Sequence, residues 1–252
     1  MPTLPVFLAR LAVPLLALFI VVPAATGEDL GGHRQATVHL DAAGRVGEVV
    51  LHGELHPRIA ALLREDIARW QFEPARVDGR PVPSVTHLQI GLRARPMADG
   101  SFGLEVASVR NGVRLVEVGA MSFPAGAMRR NRQGTVEVVA TVHPDGRVEV
   151  HETRGDAPRA LHAAASRMLR SSRFEPEQVD GRPVAARVEK PVRFVIVAAP
   201  PGRHKLPVEV GDGPWPARED DAFRTLDSAV RLLTPVEGRS LGETAASEVE
   251  AP

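Results

Sequence analysis

The sequence predicts an α+β fold of two tandem units, each a three-stranded antiparallel sheet with one helix packed on a face, in the order strand-strand-helix-strand. The first observation is a signature of eleven residues at 72–82 that recurs at 174–184 with nine identical positions. The second is a pair of strand-like segments around a turn in each half, and the third is an amphipathic helical stripe after each pair. Gly44 and Gly146 lie as far apart as the two signatures, so the segment from turn to signature has the same length in both halves.

The second half shows each element of the unit clearly. Residues 135–142 are rich in β-branched side chains, 143–146 form a turn sequence with glycine in its last position, and 147–150 alternate polar and apolar residues. These three segments predict a β-hairpin. The apolar residues that follow share one face of a helix, which predicts that the helix covers a sheet: Leu161, Ala165, Met168 and Leu169.

The first half repeats this pattern and shows how the unit ends. Its helical stripe consists of Ile59, Leu62, Leu63, Ile67 and Trp70. The Phe-Glu-Pro of each signature ends the helix, because proline disfavours helical geometry in the residue before it. An Asp-Gly turn follows in each copy, and a third strand is predicted at 85–92 and at 188–196.

The composition excludes several functional classes. The chain has 252 residues, 31 basic and 31 acidic residues, no cysteine, and 4% aromatic residues. Without cysteine there is no disulfide scaffold, no cysteine nucleophile and no thiolate metal site. The balanced charge argues against a strongly basic nucleic-acid binder, and we expect no nucleic-acid partner.

The first 27 residues are typical of a secretory signal peptide. Arg10 precedes an apolar stretch at 11–22, and Ala25 and Gly27 place small residues before a cleavage site between Gly27 and Glu28. The alternative is an uncleaved membrane anchor, but the charge-free run at 11–27 has 17 residues, the lower limit for a membrane-spanning helix. We therefore expect a periplasmic protein, with an inner-membrane anchored protein as the alternative.

The second half carries short motifs in a fixed order. They are Ser-Phe-Pro-Ala-Gly-Ala at 122–127, Gly-Thr-Val at 134–136, Pro-Asp-Gly-Arg-Val at 144–148, Arg-Phe-Glu-Pro at 173–176 and Asp-Gly-Arg-Pro-Val at 180–184. Their order and spacing resemble the carboxyl-terminal domain of the TonB family, over about residues 121–197. The first half resembles the same domain from about 36 to 92.

The resemblance implies a binding domain and not an enzyme. In the TonB family this domain passes energy from the inner membrane to outer-membrane transporters, and a short extended segment of a transporter adds as a further strand to the edge of its sheet. The implied partner is therefore a protein or peptide, with no cofactor and no catalytic residue. The implied partner-binding residues lie on the third strand of the second half: Val188, Glu189, Val192, Arg193, Phe194, Val195 and Ile196.

The chain departs from an energy transducer in its first residues. Only eight residues separate Glu28 from the start of the first repeat at Ala36, so there is no long proline-rich spacer. The leading hypothesis is therefore a periplasmic, non-catalytic adaptor that recruits a partner by strand addition. The alternatives are a membrane-anchored transducer, which alone would contact the membrane, and a small envelope hydrolase with a concave pocket of convergent polar groups.

The predicted organisation follows from these segments. It comprises a signal peptide at 1–27, a first unit at 28–97, a connecting hairpin at 98–120 around Asn111-Gly112, a second unit at 121–197, and a tail at 198–252. The tail is rich in proline, glycine and acidic residues, which predicts a mostly mobile segment. A short helix is predicted in it at 221–233, where these residues share a face: Ala222, Phe223, Leu226, Val230 and Leu233.

Two groups of polar residues suggest chemistry but have simpler interpretations. His52 and His56 would share a face only on a helix, whereas Gly53 and Pro57 place them at a turn, and no third metal ligand is evident. The recurring carboxylates Glu73, Glu175, Asp78 and Asp180 are interpreted as water-facing and turn-forming residues, because no nucleophile and base occur together.

Overall fold

The computed structural model describes residues 32–96, 102–196, 207–210 and 223–241. The expected signal peptide at 1–27 and the remainder of the tail lie outside these residues. Within the described part of the chain, no helix has the length and apolar character needed to span a membrane.

The described residues form a strand-rich α+β structure with antiparallel sheets. The elements of the first half are β1 (Gly32–Leu40), β2 (Val46–His52), α1 (Pro57–Ile67), β3 (Phe72–Glu73), β4 (Arg76–Val77), β5 (Arg80–Pro81), β6 (Ser84–Pro96), β7 (Phe102–Gly112) and β8 (Arg114–Glu117). The elements that follow are α2 (Ala125–Arg129), β9 (Gly134–Val142), β10 (Val148–Arg154), α3 (Arg159–Ser171), β11 (Arg173–Glu175), β12 (Gln178–Val179), β13 (Arg182–Pro183), β14 (Ala186–Ile196), β15 (Pro207–Val210), β16 (Arg224–Thr225), β17 (Arg231–Leu232) and β18 (Arg239–Ser240).

The first sheet is built around β1, which pairs with β2 on one border and with β6 on the other. It is larger than the three strands expected from the sequence. Strand β7 pairs with the outer border of β6 over residues 87–96, and β12, from the second half of the chain, pairs with Ser84 and Val85. The signature turn of the second half thus extends the sheet of the first half.

The second sheet is built around β9, which pairs with β10 and with β14. It also exceeds three strands, because β15 and β16 pair with β14. In each half two strands and a helix are followed by three short strands and one long strand, and each sheet includes additional segments. The division into units at 28–97 and 121–197 stays a prediction.

Both predicted helical stripes face a hydrophobic core. In α1, Leu63 and Ile67 are buried in this core and Trp70 follows in it, whereas Ile59 and Leu62 of the predicted stripe are half-buried. In α3 the buried residues include all four predicted stripe residues, Leu161, Ala165, Met168 and Leu169. Burying a large apolar side chain stabilises the fold by about 1.5–3 kcal/mol, so these stripes determine how each helix sits on its sheet.

Gly44 and Gly146 explain why the turn and the signature recur together. Both have a positive φ, +74° and +77°. A Cβ at Gly44 would lie 2.0 Å from the carbonyl oxygen of Phe72, and one at Gly146 would lie 2.2 Å from that of Phe174. The amide of each phenylalanine also donates to the glycine carbonyl, at 2.9 and 3.1 Å. The turn glycine therefore provides the backbone contact on which the signature docks.

In the described part of the expected connecting hairpin at 98–120, the strands on either side of Asn111-Gly112 do not pair with each other. Strand β7 pairs with β6, whereas β8 pairs with β11 in the second half of the chain. Gly112, with φ +143°, marks the point where the chain passes from the first sheet to the two-stranded sheet of β8 and β11. Strand β7 thus extends the first sheet, and in the described residues Asn111-Gly112 does not join two paired strands.

The helix expected at 221–233 is also absent from the described residues. Residues 223–241 form the short strands β16, β17 and β18, which are joined by bends and by a turn at Gly238. We call residues 223–241 the C-terminal clasp, because Phe223 belongs to the core of the second half while Val230 and Val236 belong to that of the first. These apolar residues pack in two separate cores, and the clasp reaches both.

Candidate functional site

The predicted partner-binding residues all lie on β14, where they divide into two faces. Val188, Val192 and Phe194 are buried in the core of the second half. Glu189 alternates with Val188 and is buried as well, but it contacts arginines instead of the core. Arg193, Val195 and Ile196 are half-buried. Because the core-facing side chains hold the fold together, only the backbone border and the opposite face of β14 are suited to contact a partner.

The outer border of β14 is occupied by the protein's own chain. Residues 186–194 pair with β9 on the inner border. On the outer border β15 pairs with 193–196, and β16 pairs with Val188 and Glu189. These two short segments lie on either side of Pro191. The expectation of an open border at 188–196 was therefore wrong, and partner binding there stays a prediction that requires the short segments to leave.

The C-terminal clasp is anchored beside β14 by an aromatic residue and by an ion pair. Phe223 is 3% exposed, and its ring meets that of Phe174 edge-on at 5.5 Å between centroids. Arg224 bonds to the carboxylate of Glu189, and a second arginine, Arg154, lies 3.8 Å from the same group. The Glu189 side chain is 10% exposed, so its charge is compensated mainly by these two arginines.

Backbone contacts continue this attachment beyond β16. The amide of Leu226 donates to the carbonyl of Arg187 at 2.8 Å, and the amide of Arg187 donates to Asp227 Oδ1 at 2.6 Å. Thr225 sits against Gly112, where a Cβ would lie 2.0 Å from its Oγ1, and the same oxygen accepts from the amide of Val113 at 3.2 Å. Gly112 is thus required where the clasp crosses the link between the sheets.

Glu177 lies where the two halves and the clasp meet. It is fully buried. Its Oε1 accepts from Thr86 Oγ1 at 2.6 Å and from Ser228 Oγ at 2.8 Å, and its Oε2 accepts from the amide of Ala229 at 2.9 Å. Burial raises the pKa of Glu177 despite these three hydrogen bonds, and the nearby Asp227 acts in the same direction.

Thr37 joins two histidines beside this junction. His87 Nε2 lies 3.2 Å from the carbonyl oxygen of Pro176, which only accepts, so His87 donates there. In the neutral ring Nδ1 is then an acceptor, and Thr37 Oγ1 donates to it at 2.9 Å while accepting from His52 Nε2 at 2.7 Å. Burial lowers the pKa of both histidines, which favours these neutral forms. The Thr37 hydroxyl therefore links two imidazoles of the first half, and His87 contacts the second half through the Pro176 carbonyl.

The two histidines considered as metal ligands serve different purposes. His52 bonds to Thr37, whereas His56 is the N-cap of α1 and accepts from the amide of Arg58 at 3.3 Å. Over the ranges that the structure describes, no group of three His, Cys, Asp or Glu side chains is arranged to hold a metal ion.

The recurring carboxylates form ion pairs and turns. Glu175 accepts from Arg114 Nε at 2.8 Å, and Glu73 lies 3.0 Å from Arg231 of the clasp. Burial opposes ionisation of Glu175, but the Arg114 hydrogen bond and the nearby histidines outweigh it, so its pKa lies below the usual value. Asp78 and Asp180 have φ of 50° and 52°, which confirms the turn interpretation of both.

The clasp is also attached to the first half at several points. Strand β17 pairs with β3, and the Gln71 amide donates to Thr234 Oγ1 at 2.8 Å. Strand β18 pairs with β7, and the Gly238 amide donates to the Val106 carbonyl at 2.7 Å. The clasp therefore holds both sheets with backbone hydrogen bonds.

Sequence reasoning missed two residues of this site, Phe223 and Glu177. Phe223 was assigned to the face of a helix. Glu177 stands at one of the two signature positions where the copies differ, and the first copy has the buried Ala75 there. A charged residue in place of a core alanine was the available signal that the second copy contacts something polar.

The comparison with protein families gives a match within the second half of the chain. Residues 119–196 match the family model described as the Gram-negative bacterial TonB protein C-terminal. This range contains α2, α3 and strands β9 to β14. Comparisons with curated proteins and with solved structures gave no significant match. Residues 119–196 are therefore similar to a domain of a protein-binding, envelope-associated family, and β14 is the last strand of the matched range.

Proposed function

We propose that this protein is a periplasmic, non-catalytic adaptor that recruits an extended peptide of a protein partner by strand addition to β14. The family match over residues 119–196 supports this role, because TonB-type domains bind other proteins, outer-membrane transporters among them. A transporter segment is accordingly the proposed class of partner. We also propose that the first half is a second, diverged copy, which its equivalent element order and glycine-phenylalanine contact support.

The observation that carries the proposal is a difference between the two outer borders. The border of β6 is covered by β7, a strand of 11 residues paired over 87–96. The border of β14 is covered by β15 and β16, which have four and two residues. A backbone hydrogen bond contributes about 1 kcal/mol net, so the ladders of β15 and β16 hold their border less strongly than the ladder of β7 holds its own. The second half is thus the half whose sheet border would accept a partner strand.

A disulfide that locks β15 onto β14 tests the proposal. The chain has no cysteine, so Val195→Cys with Val208→Cys introduces a single bridge between residues that are register partners. A photo-crosslinking amino acid in place of the exposed Arg187 then reports on partners in envelope extract. We expect an adduct with an outer-membrane protein in the reduced form, loss of the adduct on oxidation, and its return with reductant.

The matched control places the bridge on the opposite side of the same sheet. Thr141→Cys with Glu149→Cys joins β9 to β10, which leaves the outer border of β14 unchanged. This bridge should not alter the adduct. An adduct that is equally strong with the Val195–Val208 bridge closed would contradict strand addition at β14.

Whether the first 27 residues are cleaved off distinguishes the proposed adaptor from an anchored transducer. We propose cleavage between Gly27 and Glu28, which gives a mature chain beginning at Glu28. Intact mass and N-terminal sequencing of protein taken from the envelope measure this directly. A chain that retains Met1 in the inner-membrane fraction would favour the anchored transducer instead.

A further inference from the structure

The segment seated on β14 shows which side chains this border accepts. In the clasp an aromatic residue, Phe223, is followed directly by a basic residue, Arg224; Phe223 contacts Phe174 of β11 and Arg224 contacts Glu189 of β14. The same short stretch pairs its backbone with Val188 and Glu189. One segment therefore satisfies an apolar contact, a charged contact and the strand ladder together.

The apolar contact is a place in the core of the second half. Phe223 is buried with Phe174, Val188 and Val113 in a single cluster, although it comes from far along the chain. The edge-on geometry of the two rings, with an interplanar angle of 82°, is a favoured aromatic arrangement. When Phe223 leaves, the ring of Phe174 loses this partner, so any replacement strand gains by inserting an aromatic side chain.

The charged contact requires a cation. Glu189 is a buried carboxylate on the strand itself, and Arg224 and Arg154 are the basic groups that contact it in the described residues. Arg154 is the more distant of the two, at 3.8 Å. Removing Arg224 leaves a buried charge that is poorly compensated, which is costly. A strand that displaces the clasp must therefore supply a basic residue beside its aromatic one.

We propose that the outer border of β14 recognises an extended segment in which an aromatic residue is followed directly by a basic residue, and that clasp residues 223–227 are the internal copy of this ligand. The inference rests on the proposed strand addition at β14. The clasp and the partner then compete for one border, and the tethered clasp has the advantage of a high effective concentration.

A synthetic peptide with the sequence of residues 223–229 tests this proposal without knowledge of the natural partner. Its fluorescence anisotropy is measured with the full chain and with the Phe223→Ala variant, in which the clasp has lost its aromatic anchor. We expect at least about tenfold tighter binding to the variant, because the internal competitor is weakened. In the peptide, replacing phenylalanine by alanine should reduce affinity by about tenfold or more.

The arginine of the peptide is tested by a double-mutant cycle. Peptides with arginine or alanine at the second position are titrated against Phe223→Ala and against Phe223→Ala with Glu189→Gln. The arginine should improve binding several-fold when Glu189 is present. It should have little effect in the variant that also carries Glu189→Gln, because the negative charge is then missing. A peptide that binds equally well without its phenylalanine and arginine would overturn the proposed specificity.

A second variant guards against a folding defect. Arg224→Glu weakens the clasp at a side chain that is 55% exposed, and circular dichroism checks the fold of both variants. If the peptide binds neither folded variant, the inference fails. In that case, a crosslink from position 187 that disappears when the disulfide between positions 195 and 208 is closed would still support strand addition. Peptide binding without any such crosslink would instead count against the proposed function alone.

Discussion

Gly146 is the residue on which the geometry of the second half most directly depends, and its contact predicts a graded set of stabilities. Gly146→Ala adds a positive-φ cost of about 1–2 kcal/mol and a collision with Phe174, so we expect a loss of about 3 kcal/mol or more. Gly181→Ala meets no atom within 4 Å and should lose only the φ cost. Urea denaturation of the full chain measures both.

Gly126 supplies the control for this comparison. It lies in α2, and a Cβ there meets nothing within 4 Å. Gly126→Ala should be neutral or should stabilise by up to about 1 kcal/mol, because alanine favours a helix. Equal losses at Gly146 and Gly181 would show that the Phe174 contact is unimportant.

Glu177 predicts a dependence of stability on pH. Because its pKa in the folded protein is raised above the ordinary 4.5, the folded state binds more protons than the unfolded state between those two values. Its stabilising contribution is complete below pH 4.5 and is lost as pH rises through the raised pKa. Glu177→Gln does not titrate, so the stability of the wild type relative to this variant should fall as pH rises.

The test is a series of urea denaturations from acid to neutral pH. In Glu177→Gln the side-chain oxygen still accepts from Thr86 and Ser228, but its NH2 group faces the Ala229 amide, which is also a donor. The cost of this unfavourable contact does not vary with pH. Glu175→Gln is the matched control of opposite sign, because the pKa of Glu175 is lowered and its contribution is lost as pH falls. Parallel curves for wild type and Glu177→Gln would refute the prediction.

At the scale of elements, two substitutions in the clasp distinguish the predicted helix from the observed non-helical segment. A helix over 221–233 would place Phe223 and Leu226 on one buried face, whereas Leu226 is 50% exposed and Phe223 is buried. Phe223→Ala should therefore cost about 3–5 kcal/mol, and Leu226→Ala should cost under about 1 kcal/mol. Thermal or urea denaturation compares the two, and similar losses would favour the helix.

The elements that the sequence predicted are those whose pattern is local. The hairpin of β9 and β10, the helices α1 and α3, and the third strands all follow from alternation, turn residues and apolar stripes within short windows. Asn111-Gly112 misled because its partners are distant: Asn111 Nδ2 donates to the Val230 carbonyl at 2.7 Å, and Gly112 makes room for Thr225. An Asn-Gly dipeptide suits a tight turn and equally suits a position where another segment passes close to the backbone, so the dipeptide alone does not distinguish the two.

At the scale of the whole molecule, the occupied border of β14 was equally hidden from the sequence. Alternation identified 188–196 as a strand, but nothing in its residues shows which segment lies beside it. Strands β7 and β15 pair with the strands that directly precede them, β6 and β14, whereas β12 pairs with β6 and β16 pairs with β14 across longer stretches of chain. The longer-range pairings depend on the arrangement of both halves and have no local signature.

The clasp also predicts that the two halves unfold together. It supplies Phe223 to one core and Val230 and Val236 to the other, and Ser228 and Ala229 bond to Glu177 between them. We expect a single calorimetric transition for the full chain. Val230→Ala with Phe223→Ala should split it into two, because each half then loses an apolar anchor of the clasp.

Leu226→Ala is the control for this experiment, since it changes the exposed side of the same segment. It should retain one transition. Two transitions already present in the wild type would show that the clasp does not couple the halves.

The position of the clasp along the chain has a consequence for biosynthesis. Both cores remain incomplete until residues 223–241 have emerged from the ribosome, because each waits for apolar side chains that are translated after it. The last apolar side chains of both cores are therefore supplied together, by one short segment that is made after both halves.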